Sequence, residues 1–101
     1  MQHDVYLNPL RQFRPDFPFV VVLQADIAVG PERLCAPLYR SIGDVVSARS
    51  APIVAFDGER FRLILQQLTA IPTSSLRRPL GSLTSYRDDM VYALDWLFTG
   101  I

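Results

Sequence analysis

Asp57 and Gly58 stand between two runs of strand-forming residues, 52–56 and 59–65, and this pair restricts the fold more tightly than any other local feature. Asp-Gly accepts positive φ at both central positions of a tight turn, so the two runs are predicted to fold back on each other as a hairpin. In the second arm Glu59, Phe61, Leu63 and Leu65 fall on one side and Arg60, Arg62 and Ile64 on the other. One face is therefore apolar and the other mixed.

The rest of the first eighty residues also reads as β-structure. Residues 5–7 suit a short strand, and a loop broken by Pro9, Pro15 and Pro18 follows. Phe19, Val20, Val21, Val22 and Leu23 form an unbroken apolar, β-branched run, the pattern of a strand buried on both faces. Gly30 and Pro31 mark a turn, and residues 33–38 suit a strand limited by Pro37. A mixed polar segment occupies 39–50. Pro72, Pro79 and Gly81 oppose a helix, while residues 71–76 suit a short edge strand.

The last segment changes period. Tyr86, Met90, Ala93, Leu94, Leu97 and Phe98 recur at helical spacing, with Arg87, Asp88, Asp89 and Asp95 on the wetter side. Ser85 followed by Asp88 is a loose capping signal. Gly100 sits where helices commonly end in a left-handed residue, leaving Ile101 as an apolar tip beside a carboxylate.

A chain of 101 residues is expected to make one domain, 1–101. Ten arginines balance ten acids, which disfavours direct DNA or RNA binding because that depends on phosphate attraction. A single cysteine, Cys35, cannot form an internal disulfide, and one Cys with one His cannot close a zinc site, so no metal or cofactor is expected. A reduced, cytoplasmic compartment fits that usage. The first residues lack a secretory signal, and no stretch approaches the ~20 apolar residues that span a bilayer, so no membrane is expected as a partner.

Catalytic constellations are missing: there is no phosphate-cradling glycine loop, no nucleophile elbow and one histidine for any triad. His3 reads as a partly exposed residue opening a strand. Cys35, between Leu34 and Ala36, reads as a small buried hydrophobe. Asp88 and Asp89 diverge by about 100° around a helix and do not pair as acid and base. Arg77 and Arg78 read as solvated surface. What remains is the C-terminus, where Phe98 and Ile101 either close the core or a homodimer seam, or dock on another protein, and both readings can hold together.

Several ordered pieces resemble the CcdB toxin family over nearly the whole chain. They are Met1, Gln2, Val5 and Tyr6; then Val22, Leu23, Gln24, Ala25, Asp26 and Ile27; Pro37 and Leu38; and the hairpin from Pro52 through Glu59. Ala70, Ile71, Pro72, then Leu80, Gly81, Ser82, Leu83, and the ending Ala93, Leu94, Asp95, Trp96, Leu97, Phe98, Thr99, Gly100, Ile101 complete the series. The resemblance implies a mainly β, SH3-like barrel with a small side sheet and one C-terminal helix. It also implies a homodimer whose C-terminal helices meet near the two-fold axis. Such a toxin binds the GyrA subunit of DNA gyrase and traps the cleaved-DNA complex without catalysis of its own.

Carried over by position, the gyrase-binding residues are Gln2, Ile27, Phe98, Gly100 and Ile101. The chain departs from the best-known member at His3, Ala25, Ala28, Asp95 and Thr99. Threonine in place of tryptophan at 99 removes a ring whose stacking on an arginine is worth roughly 0.5–2 kcal/mol when desolvated, which lowers the expected potency. A CcdA-like antitoxin is the second implied partner, its disordered tail folding onto residues 8–14 and 39–50. Operator DNA is expected to be bound only through the toxin–antitoxin complex. Two alternatives remain at this level: an endoribonuclease of the Kid and MazF type on the same fold, or a weakened toxin serving mainly as antitoxin partner and co-repressor.

Overall fold

The turn that the Asp-Gly pair predicts is present, with φ of 53° at Asp57 and 75° at Gly58. It joins two strands of a computed structural model that describes residues 1–28, 30–43 and 48–100. In chain order the strands are β1 (Asp4–Leu7), β2 (Phe19–Val22), β3 (Glu32–Tyr39), β4 (Ile53–Phe56), β5 (Glu59–Leu63), β6 (Thr69–Pro72) and β7 (Gly81–Ser82). A single α-helix, α1 (Arg87–Thr99), follows. The strands form one antiparallel sheet in the order β4-β5-β3-β2-β1-β7, with β6 also paired to β3. This mainly β sheet with a C-terminal helix is the class the sequence implies.

β3 covers the 33–38 expected from sequence and extends it by one residue at each end, to Glu32 and Tyr39, so Pro37 does not limit it. The Leu23 N–H donates to the Leu34 carbonyl at 2.9 Å. By antiparallel alternation the Val20–Pro37 pair is then a non-hydrogen-bonded one, so the missing proline N–H would have faced the other edge of β3. On that edge β6 pairs with Glu32 to Cys35 and β5 with Leu38 and Tyr39, leaving 36 and 37 at the split. The Pro37 carbonyl there accepts the Ile64 N–H at 3.0 Å. β6 begins two residues earlier than its sequence suggests, and a 3₁₀ turn, Thr73–Ser75, takes up the remainder. β5 ends at Leu63 rather than 65, where another 3₁₀ turn, Leu65–Gln67, begins.

The sheet curls into a half-barrel around its main core. Val5, Val21, Ala36, Leu38, Val54, Phe61, Leu63, Leu65 and Leu83 meet Met90 and Ala93 of α1 there. Val20, Val22, Cys35 and Ile71 pack on the opposite face. The valine-rich β2 thus serves two cores, as its unbroken apolar run requires. Curling brings β7, last in the strand order, against β4, the first: a Cβ built on Gly81 would lie 2.7 Å from the Phe56 ring. Phe56 in turn meets Phe19 edge-on, with centroids 5.2 Å apart. The Tyr86 hydroxyl accepts the Ala55 N–H at 3.0 Å, tying the residue before α1 to the same strand.

α1 starts from a 3₁₀ turn, Thr84–Tyr86, and no side chain caps it, so the loose Ser85 signal does not operate. Gly100 ends it as expected, at φ 75° with its N–H bonded to the Trp96 carbonyl at 2.9 Å.

Gly81→Ala is expected to lower stability by about 1–3 kcal/mol through overpacking against Phe56. Combining it with Phe56→Leu is expected to cost less than the sum of the two single changes, and urea unfolding of all four proteins checks the coupling.

Candidate functional site

Two exposed loci carry the residues singled out from sequence. In the first, the chain turns after β2, and the turn is braced from three sides. The Gln2 backbone N–H donates to Asp26 Oδ1 at 2.7 Å, and Gln2 Nε2 donates to the Leu23 carbonyl at 3.1 Å. Gln24 spans the turn from inside, its Nε2 donating to the Ala28 carbonyl and its Oε1 accepting the Leu34 N–H. The Ala28 N–H closes the turn on the Ala25 carbonyl at 3.0 Å. At the tip Ile27 is 89 % exposed, an isoleucine held out in water by polar neighbours that are themselves satisfied.

The second locus is the end of α1. Phe98 is 70 % exposed, so within one chain it does not close the core. Val91 and Tyr92 are exposed as well, so the outer side of the helix carries apolar residues besides the charged ones that the 3.6-residue pattern places there. Trp96 is half-buried, with the Arg49 guanidinium 5.7 Å from its ring centroid. Thr99 turns its hydroxyl back onto the Asp95 carbonyl. Ile101 lies outside the described residues, as do 44–47 within the segment 39–50.

The two loci stand at opposite ends of the helix. The His3 carbonyl accepts the N–H of Leu83, just before the helix, whereas Phe98 lies eleven residues past Arg87, about 16 Å along the axis. One chain therefore unites Gln2 with Ile27 and Phe98 with Gly100, but not the first pair with the second.

His3 is buried rather than partly exposed, at 6 %. Its backbone adopts φ 69°, donates to the Val22 carbonyl at 2.6 Å and accepts the Leu83 N–H at 2.8 Å, linking β2, β1 and the start of the helical segment. Burial pushes its pKa below the ordinary 6.5 and Arg87 adds to that, against the weaker pull of Asp26 and Asp4. Cys35 is buried, as its apolar neighbours suggest, and desolvation raises its thiol to about 11, which leaves it protonated and unreactive at neutral pH. Among the described residues no group of three or more His, Cys, Asp or Glu could hold a metal ion, and no helix is long and apolar enough to cross a membrane.

A groove of about 620 Å³, which the sequence did not foretell, lies beside the loop 8–17, part of which was singled out for a partner. Asn8 organises that loop, donating to the Phe17 carbonyl at 2.8 Å, accepting the Leu10 N–H and receiving Arg14 Nε on its own carbonyl. Leu10 and Phe13 stand half-exposed at the groove, and Pro37, Val20 and Ile71 line its other parts. The only sequence signal was an apolar pair, Leu10 and Phe13, within a proline-rich loop. Their convergence with β3 and β6 is long-range.

Because His3 is harder to protonate folded than unfolded, it binds more protons unfolded, and stability is expected to fall as pH drops through 6.5 toward its lowered folded value. His3→Asn, which tolerates positive φ, is expected to flatten that segment of the profile. Urea midpoints between pH 5 and 7.5 measure it, and an unchanged slope in the variant would exclude His3 as the source.

Comparison with known proteins returns one family model, described as CcdB protein, which matches residues 2–100. No curated protein matches the chain.

Proposed function

Since the chain belongs to the CcdB family, whose members are toxins of ccd toxin–antitoxin systems, we propose that it binds the GyrA subunit of DNA gyrase and traps the enzyme on cleaved DNA. The observation that carries this reading is the family match across residues 2–100. The exposed end of α1 supports it: a phenylalanine left in water at a glycine-capped terminus has apolar area to bury, worth roughly 1.5–3 kcal/mol if covered completely. Inhibition then requires no chemistry from the toxin, in keeping with a buried, hard-to-protonate His3 and a protonated Cys35.

The contact residues are Gln2, Ile27, Phe98, Gly100 and Ile101, the whole chain 1–101 acting as one cytoplasmic toxin domain. It works as a homodimer with the two helix ends near the symmetry axis. A second copy offers what one chain lacks, since Ile27 and Phe98 stand at opposite ends of the helix. A CcdA-like antitoxin neutralises the toxin by laying an extended tail over residues 8–14, where the groove exposes Leu10 and Phe13, and over 39–50. The pair binds operator DNA through the antitoxin, in accord with the toxin's balanced charge.

A gyrase-dependent DNA cleavage assay beside an RNA cleavage assay tests this reading. Linear DNA is expected to accumulate and RNA to stay whole; cut RNA without linear DNA would replace the proposal with an endoribonuclease. Deleting Gly100 and Ile101 is expected to abolish growth arrest while leaving the melting temperature and antitoxin binding nearly unchanged, and Thr99→Trp to increase gyrase trapping. Leu10→Glu with Phe13→Glu is expected to weaken binding of an antitoxin tail peptide by at least about tenfold through lost apolar burial, which titration calorimetry would register.

A further inference from the structure

A second pocket, of about 350 Å³, opens where α1 passes the start of β4 and the middle of β5. Buried Ala93 and half-buried Pro52 and Ile53 give it an apolar floor, and exposed Tyr92, Arg49 and Asp89 surround it, with Arg62 half-buried between.

Among the described residues the two arginines are braced by uncharged partners. Arg62 Nε donates to the Ile42 carbonyl at 2.9 Å and its Nη1 to the Ala51 carbonyl at 2.8 Å. Two of its five N–H groups are thereby engaged among the described residues. Arg49 rests over the Trp96 ring, an uncharged partner that orients the guanidinium. Neither arginine is ion-paired among the described residues. Asp89 is the one carboxylate among the described lining residues, so two cations face one anion in a chain whose formal charge is zero.

We propose that this pocket binds a carboxylate side chain from an acidic peptide segment of a partner protein, with a neighbouring apolar side chain lying on Pro52, Ile53 and the Tyr92 ring. A braced guanidinium matches a carboxylate's two oxygens, and immobilising Arg62 beforehand lowers the ordering cost of binding. A peptide fits better than a nucleic acid, because phosphate backbones need a track of cations and this is one positive spot beside an aspartate. The inference goes beyond gyrase binding and is tested without gyrase, so either proposal can fail alone.

The probe is an end-blocked, fluorescein-labelled peptide of glutamate, leucine and serine, with a glutamine counterpart, inorganic phosphate and a short DNA duplex as competitors. Anisotropy of the label reports binding, and the fluorescence of Trp96, the chain's one tryptophan, reports its location. Saturable binding of the glutamate peptide is expected, with a change at Trp96, loss in about 0.5 M salt and no binding of the glutamine version. Arg49→Gln is expected to weaken it by at least about tenfold, as for a lost charge-assisted bond, and Asp89→Asn to tighten it a few-fold. Because Arg62 also braces two carbonyls, the exposed Arg49 carries the test, with an unchanged melting temperature as control. Equal binding of the glutamine peptide, unchanged affinity in Arg49→Gln, no saturation, or displacement by DNA or phosphate at lower concentration than by unlabelled glutamate peptide would overturn the proposal.

Discussion

β3 is the strand on which the rest of the molecule depends, because it is paired along both edges and to three partners at once. One edge carries β2 and, beyond it, β1 and β7; the other divides between β6 and β5. A proline in a central strand normally forfeits a ladder bond. Here it falls where the two partner strands part, so the absent N–H is not missed and its carbonyl still finds Ile64. The split lets the sheet bend in two directions from one strand, toward the helix-covered core on one side and toward the smaller Val20, Val22, Cys35 and Ile71 cluster on the other.

Closure of the half-barrel is achieved by side chains. Phe56 lies against Gly81 and edge-on to Phe19, and the Tyr86 hydroxyl receives the Ala55 N–H. These contacts fix where α1 begins, and the core residues Met90 and Ala93 fix which way it lies. Once those are set, Val91, Tyr92 and Phe98 have no place in the chain's own interior. Helical geometry puts them on the outside regardless of their hydrophobicity.

The parts of the surface with functional promise share one design: a side chain offered outward on a well-braced frame. Ile27 is carried by a turn that Gln2, Gln24 and Asp26 lock. Phe98 is carried by a helix ended by an αL glycine. Arg49 and Arg62 are held by a ring and by two carbonyls. Preorganised groups lose less freedom on association, which suits the docking role proposed above. The two groups of ordinary catalytic interest, the His3 imidazole and the Cys35 thiol, are instead buried and set to neutral forms.

The sequence by itself determined the local elements: the Asp-Gly hairpin, the doubly buried valine strand, the terminal helix and its glycine stop, each encoded in neighbouring residues through turn chemistry, side-chain period and the αL preference of glycine. It also carried the family, through pieces whose order matters more than any one of them. Only the tertiary structure decided that Pro37 is tolerated in mid-strand, that His3 is buried with a left-handed backbone, that Phe98 is left outside, and that Arg49 and Arg62 face one pocket with Asp89. Each of these depends on which distant segment occupies the space beside a residue, as Ile64 does beside Pro37 and Ala51 beside Arg62. Periodicity and propensity report on a residue's own element, and contacts between elements far apart in the chain leave no trace in either.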